Sequence, residues 1–131
     1  MYRMQLEECY QKFGGDYQDV KARLLNENMI SRLVIKFLAD PNYQNLCSAL
    51  EEENYGEAFR AVHTLKGLSL NFSFGNLSTS SSSLTELLRH WDTVPVDRAV
   101  CEQLFSQVSA DYRTVTEAIK EYEHQLDESL K

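Results

Sequence analysis

The stretch Ala58-Phe59-Arg60-Ala61-Val62-His63-Thr64-Leu65-Lys66-Gly67-Leu68-Ser69-Leu70-Asn71-Phe72 decides how this chain is read. Its apolar residues Ala58, Ala61, Leu65, Leu68 and Phe72 recur at steps of 3, 4, 3 and 4, the stripe of a helix packed in a bundle. At about 100° per residue, His63 falls roughly opposite that stripe, with Lys66 and Gly67 beside it at i+3 and i+4. The helix therefore presents an outward imidazole, a cation one turn on and a residue with no side chain next to both. An anionic group could sit there on a histidine. The chain carries a net charge of −7, yet no Asp or Glu occurs between Glu57 and Glu86, and Arg60, His63 and Lys66 all lie within that run. Local positive potential on an acidic protein suits a phosphoryl group or an acidic partner surface.

The same helical spacing extends in both directions. Residues 2–13 carry Met4, Leu6, Cys9, Tyr10 and Phe13 before Gly14-Gly15 stops them, and Asp16 can cap a short helix to about Leu25. A third helix runs from Asn28 to Ala39. Asp40-Pro41 reads as an N-cap followed by proline at the first helical position, opening a helix to about Glu53. The His63 helix follows over about 55–72. After a turn at Ser73-Phe74-Gly75, Leu77, Leu84, Leu88 and Trp91 mark the next, and Pro95 introduces the last and longest, whose apolar residues keep a 3-or-4 spacing between Cys101 and Leu126. The run Ser78-Thr79-Ser80-Ser81-Ser82-Ser83 is a linker on composition alone, but Leu77 and Leu84 bracket it at a heptad step, and small residues let a neighbouring helix come close. Counted outward from the turn, the level of His63 falls opposite Ser81 to Thr85, where small side chains leave the imidazole uncovered. Arg89, one turn beyond, could reach a group bound to His63 or could be a plain surface arginine.

Composition bounds the rest. A chain of 131 residues, 43% hydrophobic and 25% charged, is one globular domain with an ordinary core. No apolar run approaches the ~20 residues of a membrane span, and the start lacks the apolar core of a signal peptide. Cys9, Cys47 and Cys101 are odd in number and form no Cys-x-x-Cys pair, so packed thiols in a reduced, cytoplasmic protein are expected. The acidic balance excludes a nucleic-acid partner, because no basic stripe replaces phosphate counterions. There is no Gly-rich phosphate loop, no His-Glu-x-x-His and no Gly-x-Ser-x-Gly. No metal site is expected at His63, which has no Cys, His, Asp or Glu at i±3 or i±4.

The segment His63-Thr64-Leu65-Lys66-Gly67, with Ala61-Val62 before it and Leu68 to Phe72 and Leu77 after it, resembles the His-x-x-Lys-Gly signature of the histidine-containing phosphotransfer (HPt) domain family. Ser73 stands where the family usually carries a Gly, and Gly75 follows two residues on. The resemblance implies a phosphorelay intermediate that accepts a phosphoryl group on His63 from an aspartyl-phosphate receiver domain, or a phosphorylated sensor kinase, and passes it to another receiver. It implies no ATP site, cofactor or metal of the chain's own, since Mg²⁺ and most of the catalytic apparatus belong to the receiver. Lys66 would offset the phosphoryl charge, and Gly67 would leave room for it. Phe59, Arg60, Leu70 and Arg89 are candidate partner contacts, with response-regulator receiver domains and a hybrid sensor kinase as partners. Histidine kinases, whose acceptor histidine is typically followed by Glu, are opposed by Thr64.

The architecture expected is all-α: an antiparallel four-helix bundle over about 41–127 with additional short N-terminal helices over 1–40, as one HPt-like domain of 1–131, monomeric and without a membrane segment. An independent protein and a domain of a longer sensor kinase both fit the sequence. A helical adaptor that docks on a receiver or kinase and never carries phosphate is the alternative function.

Overall fold

The computed structural model describes residues 4–129, with side chains to 127. Among them are α1 (Leu6–Lys12), α2 (Tyr17–Leu24), α3 (Glu27–Lys36) with a 3-10 turn at Phe37–Ala39, α4 (Asn42–Glu51), α5 (Tyr55–Asn71), α6 (Gly75–Leu88) and α7 (Arg98–Ser129), and no strand. The expected all-α class is observed. Asp16, Asn26 and Asn54 cap α2, α3 and α5 through their side chains, each accepting the N–H three residues on. Asp40 accepts from the Asn42 N–H at 3.0 Å. Pro41 thus sits one residue before α4 rather than inside it.

Helices α4 to α7 form a ring in which each runs antiparallel to the next. The groove between α4 and α5 is lined by Asn42, Asn45 and the C-capping Glu52 from one helix and Glu57, Arg60 and Thr64 from the other, and the short connections between successive helices set them antiparallel. The groove between α6 and α7 is lined by Asn76, Thr79 and Ser83 from one helix and Leu104, Gln107 and Asp111 from the other. The ring closes between α4 and α7, where Tyr43 stacks on Tyr112 at 3.9 Å between centroids and donates to Ser109 Oγ at 2.8 Å. At the other end Arg98 pairs with Glu53 at 2.9 Å. At a rise of ~1.5 Å per residue, α7 is nearly twice the length of α5, and its C-terminal half projects past the bundle. There it meets α1 and α3: Lys12 pairs with Glu121 at 2.7 Å, and the Ser31 and Tyr122 hydroxyls bond at 2.9 Å.

The N-terminal helices also lock the turn between α5 and α6. Tyr10, Phe13, Phe37, Phe72 and Phe74 form one aromatic cluster, with edge-on contacts of 5.1 Å for Phe13–Phe74 and 5.3 Å for Phe37–Phe74. The buried Tyr10 hydroxyl donates to the Phe72 carbonyl at 2.8 Å. Ser73, where the resemblance leads one to expect a glycine, takes the left-handed conformation at φ +58°, which costs a residue with a Cβ about 1–2 kcal/mol. Its hydroxyl offsets that cost by donating to Asp19 Oδ2 at 2.6 Å and accepting from Arg23 Nη2 at 2.7 Å, and its carbonyl accepts the Asp16 N–H at 2.9 Å. Helix α2 therefore holds the turn through the very side chain a glycine lacks. Gly75 has a different constraint: a Cβ there would lie 2.7 Å from the Gly14 carbonyl oxygen.

Three expectations need correction. The α6 helix stops at Leu88, so Trp91 belongs to the turn that follows. Its indole folds back over Gly56 in the first turn of α5, 2.8 Å from where a Cβ would stand, a seat a continued α6 pattern does not disclose. Helix α7 begins at Arg98, three residues after Pro95, because Asp97 Oδ1 accepts from Ala99 and Val100 at 3.0 and 3.2 Å. The first helix begins at Leu6, and Tyr2 lies outside the described residues. The thiols follow expectation in being free, with Cys9 and Cys101 buried and Cys47 half-buried; burial pushes Cys9 up to about 12.

Two outcomes follow from the locked turn. Gly75→Ala forces the Gly14 backbone aside and should cost about 1–3 kcal/mol in urea unfolding. The Asp19 carboxyl is held below the usual Asp range, first by the Ser73 hydroxyl and then by Arg23. Its contribution to stability is present above the unfolded value of ~3.9 and is lost as pH falls through the lower folded value. Denaturant midpoints taken from pH 5 downward should therefore fall less steeply in Asp19→Asn than in the wild type.

Candidate functional site

Helix α5 is wedged between α4 and α6, and it buries Ala58, Ala61, Val62, Leu65 and Ser69, with Phe72 buried just past its end. Among the residues left outside are His63, Thr64, Gly67 and Leu70, with Lys66 half-buried. His63 is exposed because the residues of α6 at its level are small: Ser81 and Thr85 are buried between the helices and Ser82 is half-buried. The buried hydroxyls of Ser69 and Thr85 donate within their own helices to the Leu65 and Ser81 carbonyls, at 2.8 and 2.7 Å. Burying them therefore leaves no unpaired donor. The Ser-rich run is thus a packing surface rather than a linker.

Around the imidazole the side chains form a short arc. The Phe59 ring, one turn before, meets His63 edge-on, with centroids 5.6 Å apart and planes at 72°. The Arg89 guanidinium lies over the same Phe59 ring, 5.5 Å from its centroid. Arg89 is in turn held by Glu86 through two hydrogen bonds, Nη2 to Oε1 at 2.8 Å and Nε to Oε2 at 3.1 Å. Glu86 is held below the usual carboxylate range, chiefly by this hydrogen bond, and the charges of Arg89, Lys66 and His90 add to the effect. A Cβ built on Gly67 would meet nothing within 4 Å, so no contact inside the molecule requires glycine there. Leu70 is 54% exposed two turns on, about 10 Å along the helix and 20° round from His63. Its carbonyl accepts from Arg23 at 3.3 Å, tying this end of the face to α2.

The structure therefore brings His63, Lys66, Gly67, Phe59, Leu70 and Arg89 to one face. Arg60 is separate. It pairs with Glu57 and lines the groove between α4 and α5 with Asn42, Asn45 and Thr64. The acid-free run of sequence is likewise not acid-free in space, because Glu86 reaches the charge of Lys66 from the neighbouring helix. Glu86 is the site residue that sequence reasoning missed; its signal was the i,i+3 spacing to Arg89.

A family model of the Hpt domain matches residues 38–129, and the chain belongs to the Hpt domain family. Its members are phosphocarriers rather than catalysts, serve phosphotransfer in two-component signalling, and interact with receiver domains and kinases. The matched span holds α4 to α7 and the whole face around His63. No curated protein and no solved structure matches the chain significantly. Among the described residues no helix is long and apolar enough to cross a membrane.

The open space at Gly67 gives a direct outcome. Alanine is the better helix former by about 0.5–1 kcal/mol, so Gly67→Ala should raise stability by up to that amount in urea or thermal unfolding.

Proposed function

We propose that His63 is the phosphoryl acceptor and donor of this Hpt domain. A ring nitrogen of His63 attacks the phosphorus of an aspartyl phosphate on a docked receiver. The N–P bond forms as the acyl O–P bond breaks, and the aspartate leaves as a carboxylate with the bonding electron pair. The phosphoramidate so formed passes its group to a second receiver by the reverse sequence. Lys66, one turn from His63, offsets the phosphoryl charge, and Gly67 leaves the approach clear for the phosphoryl oxygens and the incoming receiver. Phe59 and Leu70 extend an apolar margin on either side of the imidazole for the partner to cover.

One observation carries this reading: within the matched family span, the histidine stands exposed on a bundle helix, flanked by a cation and by a glycine that no internal contact requires. A glycine kept at a cost in helix stability on an open face fits a residue selected for what must approach from outside. The helices of 1–40 and the bundle of 41–127 act in this proposal as one unit, the former bracing the turn below the acceptor helix.

The test is label transfer from a phosphorylated receiver domain to the purified protein. The wild type should acquire label that is acid-labile and alkali-stable, and His63→Gln should acquire none while still binding the receiver. Gly67→Ala should transfer at least about tenfold more slowly despite its greater stability, since a displacement of ~1 Å at a reacting centre costs up to 10²-fold. Receiver binding without transfer to the wild type would make the domain an adaptor.

A further inference from the structure

The arc His63–Phe59–Arg89–Glu86 places a carboxylate inside a site otherwise built for an anion. Glu86 makes both of its hydrogen bonds to Arg89, and the Arg89 guanidinium is parked on the ring that touches the imidazole. The pair is neither buried nor part of a core: the side chains are 38% and 61% exposed for Arg89 and Glu86. An exposed pair of this kind contributes little to stability. Its position matters more. One aromatic ring separates the guanidinium from the imidazole, and the Glu86 charge also reaches Lys66, the cation next to His63.

We propose that Glu86 is a counter-anion for the unmodified site: it holds Arg89 on Phe59, yields that cation to the phosphoryl group when His63 is phosphorylated, and so favours onward transfer. This rests on His63 as the acceptor. A phosphoryl group brings close to two negative charges and three acceptor oxygens. Arg89 can satisfy a carboxylate or a phosphoryl group with the same planar fork, so the two anions compete for it. Repulsion between Glu86 and the phosphoryl group raises the free energy of the phosphorylated form alone. Glu86 is thus a positioning residue that sets the transfer equilibrium without touching the reacting atoms.

The experiment measures the equilibrium phosphorylated fraction of the full chain mixed with a phosphorylated receiver domain. Wild type, Glu86→Gln, Glu86→Asp and the double variant Glu86→Gln/Arg89→Gln are compared at about 50 mM and about 500 mM salt, ionic strengths on either side of strong screening at ~10 Å. Removing one charge several ångströms from a dianion in a solvated site should move the equilibrium toward the phosphorylated Hpt protein about three- to tenfold at low salt. The effect should shrink at high salt. Glu86→Asp should stay close to wild type, and the double variant should keep only the part of the gain that comes from the lost repulsion, because the freed cation is gone. A merely structural role predicts none of the salt dependence and no rescue by Asp. An unchanged or lowered phosphorylated fraction in Glu86→Gln, with the wild type labelled on His63, overturns the inference and leaves the acceptor standing. A wild type that takes no label, or takes it on another residue, overturns the acceptor reading and this inference with it.

Discussion

Everything at the site depends on one helix being gripped on two sides. Helix α5 advances about 100° per residue, and α4 and α6 between them claim Ala58, Ala61, Val62, Leu65 and Ser69. Once that stripe is buried, the orientation of His63 is no longer free. Leu65 and Val62, fully buried, are each worth a few kcal/mol of packing, Leu65→Ala alone costing ~2–5. Rotating α5 to cover the imidazole would exchange those side chains for a charged and a polar face. The exposure of the histidine is thus held by the core rather than by any contact the histidine makes.

The partner helix α6 matters for the opposite reason, by what it lacks. Ser81 and Thr85 are buried without filling the space a leucine would fill, so α6 lies close to α5 and puts no large side chain over the imidazole. Ser69 and Thr85 answer their hydroxyls within the helix, and the buried Ser81 hydroxyl alone has no hydrogen-bond partner among the described side chains. Register between α5 and α6 is set at their common turn, where Ser73, Gly75 and the Phe72–Phe74 rings are clamped by α1 and α2. The short N-terminal helices act at a distance of two helical turns and more from His63, by fixing the end of the hairpin that carries it.

The parts of this arrangement that sequence discloses are those governed by local periodicity. The step pattern from Ala58 to Phe72 gave the helix and its buried side, and Leu77 and Leu84 were enough to show that the serine run continues a helix. What escaped was set by partners far along the chain. Trp91 follows the α6 pattern, yet lies outside the helix with its indole over Gly56, 35 positions earlier. Ser73 departs from the family's glycine for a reason that lies at Asp19 and Arg23. The charge around His63 was misjudged in the same way. Counting acids along the chain between Glu57 and Glu86 suggested an unopposed cluster, whereas the fold pairs Arg60 with the first of these and Arg89 with the second.

The central claim is that geometry, and not the mere presence of an imidazole, selects the acceptor. The chain supplies its own controls, since His90 is also exposed and a third histidine stands at 124. Neither has a Lys-Gly neighbour on an open helical face. Site-resolved mass spectrometry at neutral pH, on the native protein after exchange with a phosphorylated receiver, distinguishes the three. Phosphate confined to the peptide containing His63, with His90 and His124 unmodified, is the result this account predicts. Phosphate distributed among the histidines, or carried by His90 or His124 in place of His63, would contradict it.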